Sequence, residues 1–266
     1  MIWLFDAMVA DLNIFRRGGA TFAGIFLFLV IGISNPLAQS MPESDKSREA
    51  IARVTASLQR DAAAASHQWG SSVFIRVFKA ESQLEIWLRG DERFHLFRTY
   101  AICSYSGQLG PKLKEGDRQA PEGFYFVAAS KLNPNSSYHL SFDLGFPNTY
   151  DQAHGRTGSY LMVHGDCVSI GCFAMATSWL PLAPKRNQPI EEIWTLMAAA
   201  FQAGQPFVRV HVFPFRMTEE NLTEHAQSEW IDFWRNLKEG YDFFEAGNLP
   251  PEVTVADKRY VFSMAE

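Results

Sequence analysis

The feature that most constrains the fold of this chain is a two-residue alternation of apolar side chains that begins at Ser71. Successive side chains of a β-strand point to opposite faces of its sheet, so this alternation predicts strands. The predicted strands span residues 73–79, 83–89, 95–102, 124–128, 138–144 and 160–164. So many short strands, joined by loops, indicate a β-rich domain.

Apolar residues at helical spacing flank these strands on both sides. They predict one amphipathic helix within residues 39–70 and another over residues 189–203. A strand at 207–213 and a helix that begins at Thr218 complete the pattern, and Thr218 is suited to cap that helix. We therefore predict an α+β, β-rich fold with peripheral helices.

The same changes of pattern divide the chain into segments. The main domain is predicted to span residues 71–213, after an N-terminal helical segment at 39–70. Residues 214–266 are predicted to form a C-terminal helical extension that packs on the main domain. A length of 266 residues suits one large domain with such extensions.

The composition excludes several classes of protein. Hydrophobic residues make up 47% of the chain, which is ample for a core and excludes a disordered protein. The net charge is −5, from 24 Lys and Arg against 29 Asp and Glu, so no nucleic-acid partner is expected. Three cysteines are too few for a disulfide scaffold, and their odd number leaves at least one thiol unpaired.

Residues 1–38 have the pattern of an export signal. Arg16 and Arg17 precede an apolar run of about a dozen residues, which is the length of a signal-peptide core. Ala38 offers a small residue for cleavage. The run is short for a bilayer span, yet an uncleaved signal anchor is the alternative reading, and either one places the rest of the chain outside the cytoplasm.

The segment with the clearest chemistry runs from Met162 to Met175. A predicted strand ends at His164, and a short polar turn then leads to Cys172, so both side chains are expected at one rim of a sheet. A free thiol is only a few per cent thiolate at neutral pH. A histidine within hydrogen-bond reach can take the thiol proton and later return it to a leaving amine.

Small and polar residues of this turn suit the same chemistry. The N–H groups of Gly171 and Cys172 are candidate donors to the oxyanion of a tetrahedral intermediate. Ser169 is expected either to bind substrate or to brace the loop. His164 needs a partner for its second ring nitrogen; Asp166 is near, and a backbone carbonyl could serve instead.

Taken together, these residues resemble the cysteine-dependent L,D-transpeptidases of bacterial cell-wall metabolism, the family with the YkuD-like domain. The family signature of His-Gly followed by Ser-x-Gly-Cys is matched by His164-Gly165 and by residues 169–172. Residues 110–125 resemble its stretch with Gly-Asp and Pro-Glu-Gly, and residues 141–158 resemble the strand and loop before the catalytic histidine. These matches lie in order over about residues 71–213.

The resemblance implies a mixed β-sandwich-like catalytic domain in the periplasm. Cys172 would be the nucleophile and His164 its base, acting through an acyl-enzyme at the L-centre of diaminopimelate, with no metal and no cofactor. The family commonly has Arg after the cysteine, whereas this chain has Phe173. The ending Gly171-Cys172-Phe173-Ala174-Met175 resembles a murein endopeptidase-like subgroup that detaches lipoprotein from peptidoglycan, so hydrolase and transferase both stay open.

The resemblance and the residue chemistry also suggest substrate contacts. Gly165, Arg156 and His139 are the candidate substrate-binding residues, with Arg156 suited to pair with a peptide carboxylate. Peptidoglycan stem peptides, with murein-linked lipoprotein among them, are the expected partners. Lys112 and its basic neighbours Lys114 and Arg118 are interrupted by acidic residues, so they are interpreted as a solvated loop.

Three other interpretations stay open at this point. His164, Cys167 and Cys172 could hold zinc, with His139 or His154 as a fourth ligand. Cys167 and Cys172 could instead form a disulfide, with Cys103 a buried apolar residue. The chain could also be a catalytically inactive module that binds the cell wall.

Overall fold

The computed structural model describes residues 41–180, 182–183 and 185–264. The helices are α1 (Asp45–Ala64), α2 (Thr149–Ala153), α3 (Gln188–Gln202), α4 (Glu219–Glu224) and α5 (Ile231–Gly247), with a 3₁₀ turn at Ala129–Lys131. The strands are β1 (Val73–Phe78), β2 (Gln83–Arg89), β3 (Phe94–Ala101), β4 (Ser104–Tyr105), β5 (Gly123–Val127), β6 (Leu132–Asn133), β7 (Ser141–Asp143), β8 (Met162–His164), β9 (Phe173–Ala174), β10 (Val208–Phe213), β11 (Glu252–Ala256) and β12 (Arg259–Ser263).

Two mixed sheets share one apolar core. The first has five strands in the order β3-β2-β1-β10-β5, and the second has five in the order β4-β9-β8-β7-β6. Within them only β1 with β10 and β8 with β9 are parallel pairs. Residues of both sheets, together with α1 and α3, form one continuous cluster of buried side chains. The predicted α+β, β-rich fold with peripheral helices is confirmed.

Strand β1 is buried on both faces. Val73, Ile75 and Val77 enter the core that the two sheets share, whereas Phe74 and Phe78 enter clusters beneath the C-terminal extension. The extension therefore covers a sheet face that would otherwise expose large aromatic rings. Burial of two such side chains stabilises the fold by about 1.5–3 kcal/mol each.

The C-terminal extension differs from the all-helical prediction in two ways. The helix that begins after Thr218 ends at Glu224, and α5 starts separately at Ile231. The chain then finishes with the antiparallel hairpin β11–β12, whose turn residues Asp257 and Lys258 both have positive φ. Adjacent residues in this conformation form the tight turn that matches the twist of a hairpin.

The predicted strand at 138–144 is much shorter than expected. Only Ser141–Asp143 pair as β7, because the chain turns at His139, whose φ is +70°. The predicted export signal at residues 1–38 lies outside the described residues. Among the helices that the structure describes, none combines the length and apolar character needed to cross a membrane.

A buried ion pair joins β1, the loop that follows β4 and helix α5. The Lys79 ammonium donates to Glu122 Oε1 at 2.9 Å and to the carbonyls of Gly110 at 2.8 Å and Ala120 at 3.2 Å. Glu122 also accepts from the Gly110 N–H at 2.7 Å and from Trp234 Nε1 at 2.9 Å. Both charged side chains are fully buried, so every donor of the ammonium is satisfied within the protein.

Substitution of one partner of this pair tests its contribution to stability. Lys79→Met leaves the Glu122 carboxylate buried without its countercharge, so we expect the free energy of unfolding to fall by about 3–5 kcal/mol. Urea unfolding followed by circular dichroism measures the change.

Two further variants serve as controls. Lys79→Met combined with Glu122→Gln removes both charges and should regain part of the loss. Arg235→Ala breaks the exposed pair with Asp232, whose side chains are 63% and 86% exposed, and should cost less than about 1 kcal/mol. A Lys79→Met protein as stable as the Arg235→Ala protein would contradict the assignment.

Candidate active site

Parallel pairing of β8 and β9 places His164 and Cys172 on the same face of the second sheet. Val163 lies opposite Phe173 and His164 lies opposite Ala174. Val163 and Phe173 both point into the core. Because side chains alternate along a strand, His164 and Cys172 both point to the other face, where they line one cleft. The two side chains thus share one face of the sheet and one cleft, as expected, while the thiol donates its hydrogen bond to the Tyr160 carbonyl.

A hydrogen bond to the chain's own backbone orients His164. Its Nδ1 is hydrogen-bonded to the carbonyl oxygen of Gly165. A carbonyl can only accept, so Nδ1 carries the proton and the neutral ring presents the lone pair of Nε2. Tyr138 packs on the imidazole at 4.8 Å between ring centroids. The backbone carbonyl, rather than Asp166, serves as the orienting group.

Burial keeps the imidazole uncharged. His164 is 2% exposed, and this burial lowers its pKa below the ordinary value, although the Gly165 carbonyl and Asp166 act in the opposite direction. At neutral pH the ring is consequently in the form that accepts a proton.

Cys172 is the free cysteine of the chain, and its thiol is half-buried. The sulfur accepts a hydrogen bond from the Met162 N–H at 3.4 Å and donates to the Tyr160 carbonyl at 3.7 Å. Burial raises the pKa of this thiol; the Met162 N–H lowers it, Asp143 raises it and Lys112 lowers it. Both pKa shifts thus favour the neutral forms, a thiol at Cys172 and an uncharged imidazole at His164.

Ser169 braces the turn that carries Cys172. Its Oγ donates to the Cys172 carbonyl at 2.7 Å and accepts from the Gly171 N–H at 3.2 Å. Gly171 has φ of +148°, a backbone conformation that residues other than glycine rarely adopt. Ser169 is expected either to bind substrate or to brace the loop, and its contacts in the structure brace the loop. The Gly171 N–H, a predicted oxyanion donor, is engaged by Ser169, so its role in catalysis stays a prediction.

A disulfide between Cys103 and Cys167 ties the catalytic turn to the end of β3. Their Cα atoms are 5.5 Å apart, and the Cys103 N–H donates to the Ala174 carbonyl of β9 at 2.9 Å. The alternative disulfide between Cys167 and Cys172 is wrong, and so is the interpretation of Cys103 as a buried apolar residue. Cys167 is close to Cys172 in sequence, but its disulfide partner is Cys103, 64 residues earlier in the chain.

This disulfide also contradicts the proposed zinc site. The Cys167 sulfur is bonded to Cys103 and is not available as a metal ligand. Within the described part of the chain, no group of three or more His, Cys, Asp or Glu side chains is placed to hold a metal ion.

Asp166 anchors the start of the catalytic turn. It has φ of +60°, and its N–H donates to Asn187 Oδ1 at 2.7 Å. Its carboxylate pairs with Arg186 at 2.8 Å. Both partners lie just before or at the start of α3, so the helix and the disulfide hold the turn from two directions.

The cleft has a volume of about 790 Å³ and is wide enough for a peptide. Besides His164 and residues 168–172, parts of three other segments line the cleft. They lie within residues 112–118, 133–141 and 158–162. Ser141 pairs directly with His164 across β7 and β8, and its buried Oγ has no hydrogen-bond partner among the described residues.

The three candidate substrate-binding residues do not line this cleft. Arg156 is buried and donates to Asp151 at 2.7 Å, so its pairing capacity is used within the fold. The His139 ring is hydrogen-bonded to Glu191 of α3 at 2.8 Å. Gly165 is packed too closely for a side chain, since an added Cβ would lie 2.7 Å from the Tyr138 carbonyl. These residues have contacts within the fold around the site, and their role in substrate binding stays a prediction.

Lys112 is the cleft residue that the sequence interpretation missed. It was assigned to a solvated loop, yet it is 5% exposed and lines the cleft. Lys114 is exposed, as expected for that loop. The alternating charges of residues 112–118 predict a loop exposed to solvent. The neighbouring Gly110-Pro111 pair, which is typical of a turn, is the sequence signal for an ordered start of this loop.

Comparison with known proteins identifies close relatives. No protein-family model matches the chain. Two relatives, from Escherichia coli K12 and Escherichia coli O157:H7, are both named "Putative L,D-transpeptidase YafK". Each is 48% identical over 194 residues, which cover 73% of this chain and 75% of the relative.

Solved structures give weaker similarities. The helical cell shape determining protein Pgp2 from Campylobacter jejuni has a TM-score of 0.42 at 16% identity, covering 70% of this chain and 73% of that one. A mutant form of Pgp2 scores 0.43 at 18% identity, covering 65% and 56%. Bd1075 of Bdellovibrio bacteriovorus scores 0.37 at 15% identity, covering 72% and 84%.

The neutral state of the thiol is testable by alkylation. Because burial raises the pKa of Cys172, we expect the rate of its reaction with iodoacetamide to keep increasing beyond about pH 8.5, the ordinary thiol value. Intact-mass measurements from pH 6 to 10 give the profile, and a Cys172→Ala protein should take up no label. A rate that is already constant between pH 6 and 8 would indicate a preformed thiolate–imidazolium pair instead.

The disulfide is expected to contribute substantially to stability. Cys103 and Cys167 are 64 residues apart, and closing a loop of that size in the unfolded chain corresponds to about 4 kcal/mol. Cys103→Ser with Cys167→Ser should therefore lower the free energy of unfolding by up to that amount, measured by urea unfolding without reductant. The reduced wild-type protein provides the control, and it should match the double variant. Unchanged stability in both would show that the disulfide does not constrain the fold.

Proposed function

The chain belongs to the L,D-transpeptidase family, and from this premise we propose that it is a cysteine acyl-transfer enzyme. Its proposed substrates are peptidoglycan stem peptides, cleaved at the L-centre of diaminopimelate. The observation that carries the proposal is the pair of neutral side chains, His164 and Cys172, on one face of the second sheet and in one cleft.

The proposed acylation is a proton transfer coupled to nucleophilic attack. Nε2 of His164 accepts the thiol proton while Cys172 Sγ bonds to the carbonyl carbon, and the carbonyl oxygen gains the electron pair. The C–N bond then breaks, and the imidazolium returns the proton to the leaving amine. A thioester on Cys172 remains. Water or an amine, deprotonated by the same imidazole, attacks the thioester carbon and restores the thiol.

Two hydrogen bonds support the proposal that His164 and the turn around Cys172 are already positioned for reaction before substrate binds. The Gly165 carbonyl holds the imidazole so that Nε2 is the proton acceptor, and Ser169 holds the backbone of the nucleophile. Placement of both groups by the protein reduces the entropy lost in reaching the transition state. The N–H groups of Cys172 and Gly171 are the oxyanion donors that we propose, and the Gly171 N–H would have to exchange its bond to Ser169 Oγ for one to the oxyanion.

Water is the acceptor that we propose first. The ending at residues 171–175 resembles the subgroup that detaches lipoprotein from peptidoglycan, so the leaving amine would be the lysine of a murein-bound lipoprotein. Transfer to an amine acceptor, which forms a diaminopimelate cross-link, is the second candidate. Both reactions pass through the same thioester, so they differ only in whether water or an amine attacks it.

The periplasm is the proposed location. The pattern at residues 1–38 suits an export signal, and either a cleaved signal or an anchor in the inner membrane would deliver the domain there. The Cys103–Cys167 disulfide supports this proposal, because structural disulfides persist in oxidising compartments.

Product mapping with a nucleophile variant tests the proposed function. Cys172→Ser keeps the size of the side chain but replaces the thiol, and we expect the release of lipoprotein-derived lysine from murein to fall by at least about a thousandfold. Mass spectrometry of the soluble products gives the yield for each protein.

The products also distinguish the candidate functions. A tripeptide that ends in diaminopimelate, with released lysine adduct, indicates a detaching hydrolase, whereas new cross-links or exchanged D-amino acids indicate a transpeptidase. Equal product yields from the wild-type and Cys172→Ser proteins would rule out the cysteine mechanism. Binding to murein without any thiol-dependent product would favour the inactive cell-wall-binding module.

A further inference from the structure

Ser141 places a buried hydroxyl in the wall of the active-site cleft. Its side chain lines the cleft and is 1% exposed, and its Oγ has no hydrogen-bond partner among the described residues. Phe142, the next residue of β7, lies in the core that the two sheets share. Since side chains alternate along a strand, Ser141 points to the opposite face, which is the one that carries His164 and Cys172.

The pairing of β7 with β8 brings this hydroxyl close to the imidazole. Ser141 lies directly opposite His164. The Gly165 N–H donates to the Leu140 carbonyl at 3.0 Å, so the adjacent pair of residues makes the backbone hydrogen bond. Ser141 and His164 are therefore a non-hydrogen-bonded pair, in which the opposed side chains approach most closely and the Cβ atoms lie about 4.5–5.5 Å apart.

The two side chains offer complementary hydrogen-bonding groups. Nδ1 of His164 is hydrogen-bonded to the Gly165 carbonyl, so Nε2 presents a lone pair. The hydroxyl of Ser141 is able to donate. A water that accepts from Oγ and donates to Nε2, through two hydrogen bonds of about 2.8 Å, bridges atoms that are about 4.5–5 Å apart. The spacing of the opposed pair suits such a bridge, and two polar partners are what an ordered water requires.

We propose that Ser141 and His164 together hold the water that hydrolyses the thioester on Cys172, and that Ser141 thereby favours hydrolysis over transfer to an amine. The inference rests on the proposed function, because it names the group that decides between the two outcomes of the same acyl-enzyme. It assigns to the buried hydroxyl a reactant of the second half of the reaction, after the leaving amine has left the cleft.

The hydrolytic step needs no group beyond these residues and the water. Nε2 of His164 takes one proton from the water while the water oxygen bonds to the thioester carbon, and the carbonyl oxygen gains the electron pair. The carbonyl then forms again as the C–S bond breaks, and the sulfur keeps the bonding pair and takes the proton from the imidazolium. A carboxylic acid and the Cys172 thiol result. Ser141 keeps its own proton and donates to the attacking oxygen throughout.

The selectivity follows from the lone pairs of the two nucleophiles. A water oxygen has two lone pairs, so one accepts from Ser141 while the other attacks the thioester. A neutral amine has a single lone pair, which the attack itself requires, so it cannot accept from Ser141 at the same time. The hydroxyl therefore positions water and gives no comparable help to an amine.

A small acyl group tests the inference without a cell-wall substrate. The full chain is treated with p-nitrophenyl acetate, which acetylates the Cys172 sulfur, and intact-mass measurements follow the gain and loss of the acetyl group. Ser141→Ala should slow the hydrolysis of the acetyl thioester about tenfold to a hundredfold and leave the rate of acetylation within about twofold. The Cys172→Ala protein gives the background of acetylation at other sites.

Competition with an amine measures the selectivity itself. With glycinamide present, the thioester gives acetate and N-acetylglycinamide, and Ser141→Ala should raise the ratio of amide to acetate by the factor by which hydrolysis slows. Ser141→Thr keeps a hydroxyl and should restore the wild-type ratio. Ser159 also lines the cleft but is exposed, so Ser159→Ala is the matched control and should leave the ratio unchanged.

The outcomes separate the inference from the proposed function. A wild-type ratio in the Ser141→Ala protein would overturn the inference, and so would an equal slowing of acetylation, hydrolysis and amine transfer, which would mean that Ser141 holds the imidazole rather than the water. A Cys172 that takes up no acetyl group would overturn both the inference and the cysteine mechanism. A shifted ratio in a protein that releases no product from murein would support the water site and contradict only the proposed substrate.

Discussion

The ion pair between Lys79 and Glu122 is the interaction on which much of this molecule depends. It lies where β1 of the first sheet, the loop after β4 and helix α5 meet, and Trp234 joins it from the C-terminal extension. A buried charge is costly unless it is paired and fully hydrogen-bonded. The loop backbone at Gly110 and Ala120 completes that hydrogen bonding, so the loop cannot move without exposing the pair. The same loop carries Lys112 into the wall of the cleft.

The parallel pairing of β8 and β9 has the equivalent role for the chemistry. A parallel pair needs a crossover connection, and here that connection is the short catalytic turn, which is tied by the Cys103–Cys167 disulfide and by the contacts of Asp166 with Arg186 and Asn187. Such a turn leaves few conformations to the backbone around Cys172. The restricted turn holds the thiol on the face of the sheet that also carries the imidazole, and a backbone carbonyl rather than an acidic side chain orients that imidazole.

Burial sets the protonation state of the site. Both reactive groups are shifted toward their neutral forms, the imidazole downward in pKa and the thiol upward. A neutral thiol is less readily oxidised than a thiolate, since the thiolate is the reactive form.

Local patterns in the sequence were enough to predict the fold class and to select His164 and Cys172 as the candidate pair. Period-two and helical patterns are local properties, and the segment from His164 to Cys172 is short enough for its geometry to follow from one strand end and one turn. The remaining contacts join residues far apart in the chain, and local patterns carry no information on such partners. Local patterns therefore do not predict the Cys103–Cys167 disulfide or the burial of Lys112. Nor do they predict the hydrogen bonds of Arg156 to Asp151 and of His139 to Glu191. All of these follow from the tertiary structure. Each depends on which side chain another segment brings within hydrogen-bonding or bonding distance, and packing of the two sheets sets those distances.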